Sequence, residues 1–154
     1  MKKVLFVCLG NICRSPMAEA IFKKMVDDKG LSDKIKVDSA ATGSYNIGNS
    51  PHKGTKYILE RYGFSHLGIV SRLITENDLK ENDYIVCMDD SNVTNVRKVG
   101  NIDSNVTLKK LSDFIENSTW SEVPDPYYTG NFDETYELVT EGLFALLEHI
   151  EKEL

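Results

Sequence analysis

Little in this chain suits anything but a soluble globular domain. Its 154 residues include three cysteines, four prolines and one tryptophan. Three cysteines, odd in number and unevenly spaced, give no disulfide framework and fit reduced thiols in a cytoplasmic protein. No apolar run is long enough to cross a bilayer, and no membrane association is expected. Positive charge is also scarce: 18 Lys and Arg against 24 Asp and Glu leave a formal net charge of −6. An acidic surface disfavours nucleic-acid binding, and any anion site must build its positive potential locally. The three histidines show no metal-ligand spacing, and Walker-type and dinucleotide glycine motifs are missing. The chain also lacks internal repeats and low-complexity tracts.

What is present fits one domain over residues 1–154, long enough for an ordinary core. Near-continuous apolar runs at Lys3 to Cys8, Ile35 to Ala40, Tyr84 to Met88 and Asn105 to Leu111 predict strands. Helical spacing is read over Met17 to Lys29, His52 to Tyr62, Glu76 to Lys80, Asp90 to Val99 and Phe132 to Leu154. Strands alternating with helices predict an α/β fold: a single doubly wound domain with a four-stranded parallel sheet flanked by helices on both faces. Ser44 to Pro51 reads as an exposed loop. The start, two lysines before a short apolar run, resembles a signal peptide only superficially, because it leads into Asn11 and Arg14 rather than a small-residue cleavage site.

In doubly wound folds ligands bind beyond the carboxyl ends of strands. The stretch "VLFVCLGNICRSP", Val4 to Pro16, lies at such an end. A loop entering a helix presents backbone N–H groups that no helical carbonyl accepts, and the helix dipole adds positive character. Leu9 to Arg14 therefore form a candidate anion cradle. Gly10 lets the backbone curve closely around a ligand, Pro16 suits the first helical turn, and Arg14 offers a planar fork to phosphate oxygens. Taken alone, Cys8 reads as a small buried hydrophobe. With Gly10, Arg14, Ser15 and Pro16 beside it, the cysteine sits at the base of the cradle, where helix termini and cations favour thiolate. A thiolate beneath a bound phosphate is a nucleophile aimed at phosphorus. Asp125, in "VPDPYY", reads either as a solvated turn residue or as a carboxylic acid presented by a rigid loop.

The segment "VCLGNICRSPMAEA" resembles the signature of the low-molecular-weight protein tyrosine phosphatases. The resemblance continues in "VDSAATG", "YIVCMDDSN" and "VPDPYY" and spans essentially the whole chain. It implies hydrolysis of phosphotyrosine in proteins or peptides, with inorganic phosphate as product and neither metal nor cofactor. It implies Cys8 as nucleophile, Arg14 as phosphate clamp and Asp125 as general acid and base. Leu9, Gly10, Asn11, Ile12 and Cys13 would line the phosphate loop with Arg14, and Asn11, Ser15 and Ser39 would brace it. Leu9, Ile12, Tyr45, Tyr127 and Tyr128 would wall the substrate pocket. Cys13, which hydrolysis does not need, is either packing or a redox partner for Cys8.

One segment departs from the family. Many members carry "HxAR", whose histidine bonds the loop asparagine, whereas this chain reads "IVSR" with Ile69 at that position and His66 three residues earlier. His52 and His149 read as surface residues. Alternatives of the same fold are a phosphoarginine phosphatase, which typically has Thr where this chain has Ile12, and an arsenate reductase. The second needs further cysteines, and beyond the loop there is only Cys87, within apolar "YIVCM". From other classes, a phosphocarrier and a non-catalytic phosphotyrosine-binding module are alternatives, and Cys8, Arg14 and Asp125 together favour hydrolysis over both.

Overall fold

The computed structural model describes residues 1–154. Four strands, β1 (Lys2–Cys8), β2 (Ile35–Ala41), β3 (Tyr84–Cys87) and β4 (Thr107–Lys110), form one parallel sheet in the order β2-β1-β3-β4. Helices α1 (Arg14–Asp28), α2 (Lys53–Arg61) and α6 (Phe132–Glu151) pack on one face. The short α3 (Asp78–Glu81) and α4 (Asp90–Arg97) pack on the other. The remaining helix, α5 (Pro126–Thr129), is a single turn above the carboxyl edge of the sheet. No helix is long and apolar enough to cross a membrane.

Strand periodicity explains why β1 is apolar from Val4 to Cys8. Val4, Phe6 and Cys8 face the larger core with Met17, Phe22, Leu143 and Leu146, whereas Leu5 and Val7 face the smaller one with Leu79, Ile85 and Val96. A strand buried on both faces has no side left for polar residues. From β1 the chain steps to β2 on one side and then to β3 on the other. That reversal opens a crevice beyond the carboxyl ends of β1 and β3.

Several boundaries differ from expectation. Helix α1 begins at Arg14 rather than Met17, because Pro16 falls in the first turn, where its missing N–H breaks no bond. Helix α4 stops at Arg97 and α6 at Glu151, while β4 is shorter at both ends. The predicted turn at Glu76 to Lys80 is shifted to Asp78–Glu81. Neither α5 nor a tight helical turn at Leu111–Phe114 was expected.

Candidate active site

The loop from Cys8 to Arg14 is held by its carbonyls. Thr42 N–H donates to the Cys8 carbonyl at 3.1 Å, Gly43 N–H to Leu9 at 2.9 Å, and His52 N–H to Ile12 at 2.7 Å. The Ser71 hydroxyl donates to the Gly10 carbonyl at 2.9 Å and the Thr55 hydroxyl to Cys13 at 3.1 Å. In a planar trans peptide the next N–H points opposite the carbonyl. Five carbonyls tied outward therefore turn the N–H groups of Leu9, Gly10, Asn11, Cys13 and Arg14 inward, over Cys8.

Asn11 supplies the sharpest bend. Its φ of 55° is in the left-handed region, where asparagine is better tolerated than most residues. The bend expected of Gly10 thus falls one residue later. At Gly10 a Cβ would meet only the end of the Asn46 side chain, at 2.8 Å. The Asn11 amide is buried and fully used: Nδ2 donates to Ser15 Oγ at 2.7 Å and Ser39 Oγ at 2.9 Å, while Oδ1 accepts the Arg72 N–H at 3.1 Å. Ser15 Oγ lies 3.0 Å from Cys8 Sγ, and the Ser15 N–H points at the same sulfur at 3.5 Å. The three predicted bracing residues, Asn11, Ser15 and Ser39, are thus joined in one network.

The departure at Ile69 is resolved by different atoms. Ile69 is buried packing, and His66 pairs with Glu60 at the surface, away from Asn11. Ser71 and the Arg72 backbone hold Gly10 and Asn11 instead. The Arg72 guanidinium is fixed by Asp78 and Asp38 at 2.9 Å each, which raises its pKa. His52 is more than a surface residue: its Nδ1 caps α2 by accepting the Gly54 N–H at 3.0 Å, and its ring stacks on Phe132.

Arg14 is 2% exposed, an unusual burial for a cation. Nη1 donates to Asp89 Oδ2 at 2.6 Å and to the Val123 carbonyl at 2.9 Å, and Nη2 lies 3.4 Å from Asp125 Oδ2. Nε is buried without a partner. Burial alone would lower the pKa of this guanidinium, but negative charge at Cys8 together with Asp89 and Asp125 raises it. Cys13, at the start of α1, is buried beside them. Burial, then the charge at Cys8, pushes its thiol up to about 12.

Asp125 precedes α5 and caps it, Oδ1 accepting the Tyr127 N–H at 3.1 Å. Its other oxygen faces Arg14. The resulting cleft, about 450 Å³, is lined by Cys8, Gly10, Cys13 and Asp125 together with Leu9, Ile12, Tyr45, Asn46, Tyr127 and Tyr128. Tyr45 and Tyr128 are 79% and 74% exposed, so their rings stand largely in solvent beside the cleft they line. Every residue predicted for the pocket lines it. Ser44 to Pro51 is more than an exposed loop, for it contributes Tyr45 and Asn46.

Asp89, Asn46, Ser71 and Arg72 were missed from sequence. A signal existed for Asp89: it follows β3, whose carboxyl end borders the same crevice.

The family model described as "Low molecular weight phosphotyrosine protein phosphatase" matches residues 3–154. Low molecular weight protein-tyrosine-phosphatase YfkJ of Bacillus subtilis is 50% identical over 99% of this chain and 98% of its own. The crystal structure of YfkJ superposes with a TM-score of 0.96, covering 99% of this chain and 96% of that one. Low molecular weight protein-tyrosine-phosphatase PtpA of Staphylococcus epidermidis is 46% identical over 99% of this chain and 96% of its own. A protein tyrosine phosphatase from Entamoeba histolytica, crystallised with Hepes in the active site, is 32% identical with a TM-score of 0.90, covering 99% of each chain. Matched along nearly its whole length, the chain belongs to the low molecular weight phosphotyrosine protein phosphatase family.

Proposed function

We propose that the cleft hydrolyses phosphotyrosine in proteins or peptides in two steps through Cys8. The observation that carries this reading is the buried Arg14 Nε without a partner, beside five inward-facing N–H groups. An unpaired buried donor is costly, and a phosphoryl oxygen accepting from Nε and a neighbouring nitrogen would satisfy it. In the first step the Cys8 thiolate attacks phosphorus, the S–P bond forms, and the P–O bond to the tyrosyl oxygen breaks. Asp125 gives its proton to that oxygen. In the second, Asp125 takes a proton from water, water attacks phosphorus, and the S–P bond breaks to return the thiolate and release inorganic phosphate. Arg14 and the loop N–H groups hold the nonbridging oxygens in both steps.

Arg14 and Asp125 are in contact before substrate enters. An incoming phosphoryl group that takes Nη2 frees Asp125 Oδ2 for the leaving oxygen. Leu9, Ile12, Tyr45, Tyr127 and Tyr128 then flank the substrate ring. An arsenate reductase reading finds little support, since Cys87 is buried in β3 and burial raises its thiol pKa. Three free cysteines support a reducing, cytoplasmic setting.

A panel of phosphotyrosine and phosphoarginine peptides tests the assignment. Phosphotyrosine should be hydrolysed with release of inorganic phosphate, and Cys8→Ser should abolish turnover while retaining phosphate-site binding. Preference for phosphoarginine, or phosphate passed only to an acceptor protein, would overturn it.

A further inference from the structure

The bracing network does not end at Ser39. Ser39 Oγ lies 2.5 Å from Glu19 Oε1, and Glu19 Oε2 lies 2.5 Å from Lys23 Nζ. Glu19 is a buried carboxylate on α1, absent from the chemistry above, while Lys23 is half exposed. A chain of hydrogen bonds thus runs from the surface of α1 through Glu19, Ser39, Asn11 and Ser15 to Cys8 Sγ.

The chain has a fixed direction. A carboxylate only accepts, so the Ser39 hydroxyl donates to Glu19 and is left as an acceptor toward Asn11. Asn11 spends one Nδ2 hydrogen on Ser39 and the other on Ser15, with Oδ1 turned to the Arg72 N–H. Ser15 Oγ, already accepting, keeps its own hydrogen for Cys8.

We infer that Glu19 is a positioning residue for Cys8, holding Ser39 and Asn11 in the one arrangement that leaves the Ser15 hydrogen for the sulfur. Replacing the carboxylate with an amide allows Glu19's position to donate to Ser39. Ser39 then donates toward Asn11, whose amide turns Oδ1 to the serines at the cost of its bond from the Arg72 N–H, and Ser15 turns its hydrogen from Cys8 to that oxygen. The thiolate loses a donor both as nucleophile and as the group expelled from the cysteinyl phosphate.

The inference rests on Cys8 as the nucleophile proposed above, and one experiment separates the two. The rate of Cys8 alkylation by iodoacetamide is followed against pH in wild type, Glu19→Gln, and Glu19→Gln in a Ser39→Ala background. Peptide mass spectrometry identifies the alkylated site, and thermal melting checks folding. In wild type Cys8 should be the site modified at neutral pH; its failure to react there would sink the nucleophile assignment itself. In Glu19→Gln the midpoint should rise, so that alkylation below it is about threefold slower or more. Removal of a nearby negative charge acts oppositely and lowers the midpoint. A lowered or unmoved midpoint in a folded variant therefore overturns the positioning role, as does an equal rise in the Ser39→Ala background. If Glu19→Gln does not fold, Glu19→Asp withdraws the carboxylate by one methylene and breaks its bond to Ser39. Its midpoint should rise less but in the same sense, and a fall or no change contradicts the inference.

Discussion

Asp125 carries two structural contacts besides its proposed chemistry: one oxygen caps α5 and the other faces Arg14. Asparagine caps a helix nearly as well as aspartate but cannot give a carboxyl proton. Asp125→Asn should therefore keep the fold and phosphate inhibition while slowing poor leaving groups, such as phosphotyrosine, far more than activated aryl phosphates. A leaving-group series checks this, and an equal loss across the series would count against general-acid catalysis. Arg14→Lys should be severe on every substrate, since an ammonium cannot replace a guanidinium held on Nη1 by Asp89 and Val123 while Nε and Nη2 face the anion. Steady-state kinetics close to wild type would remove Arg14 from the clamp. Cys13, with its thiol pushed up to about 12, is not a competing nucleophile at neutral pH. Oxidation of Cys8 to a sulfenic acid removes the charge that helps hold the Cys13 thiol up, and we propose that Cys13 then captures it as a disulfide, releasing water. Peroxide inactivation should be reversed by dithiothreitol in wild type and recovered less fully in Cys13→Ser; equal recovery, with no Cys8 to Cys13 crosslink by mass spectrometry, would leave Cys13 as packing.

Among the elements, α3 bears on the site through charge. Burial alone would raise the Asp78 carboxyl pKa, but the Arg72 hydrogen bonds and the Thr75 donors lower it. A carboxylate whose pKa falls on folding adds stability above the ordinary aspartate value of about 4, and that stability is lost as pH drops through the folded value. Asp78→Asn should therefore lower the urea midpoint at neutral pH, with the gap from wild type closing in acid. A gap constant across pH would mean the pair adds no charge-linked stability. The longer elements were legible because their apolar residues repeat: the α6 stripe of Val139, Leu143, Leu146, Leu147 and Ile150 and the doubly buried β1 leave no other reading. Helix α5 was not, because four residues are too few for periodicity and its existence depends on the Asp125 cap. The loop's outward carbonyl partners were equally hidden, since Thr42, His52, Thr55 and Ser71 are ordinary residues made specific only by folding. Cys8 and Arg14 were visible because their chemistry is carried by residue type and by place between a strand and a helix, whereas "VPDPYY" alone left Asp125 open and the resemblance to the family singled it out.

For the whole molecule, the sheet order decides where chemistry can occur. Reversal between β2 and β3 puts the ends of β1 and β3 at one crevice, and α6 locks α1 and α2 behind it. Leu143→Ala, in the packed interior of that face, should cost about 2–5 kcal/mol of stability, read by urea unfolding, while leaving KM at permissive temperature unchanged. In a protein of net charge −6, Arg14 and the turned-in N–H groups supply the positive character that an anion meets in this cleft. The most direct test of the account is a rapid acid quench of the enzyme turning over a phosphotyrosine peptide, followed by mass spectrometry of the peptide bearing Cys8. One phosphoryl group should appear on Cys8 within the first turnover and decay as inorganic phosphate is released. Phosphate released at the same rate with no phosphoryl group on Cys8, or with the group on another residue, would contradict it.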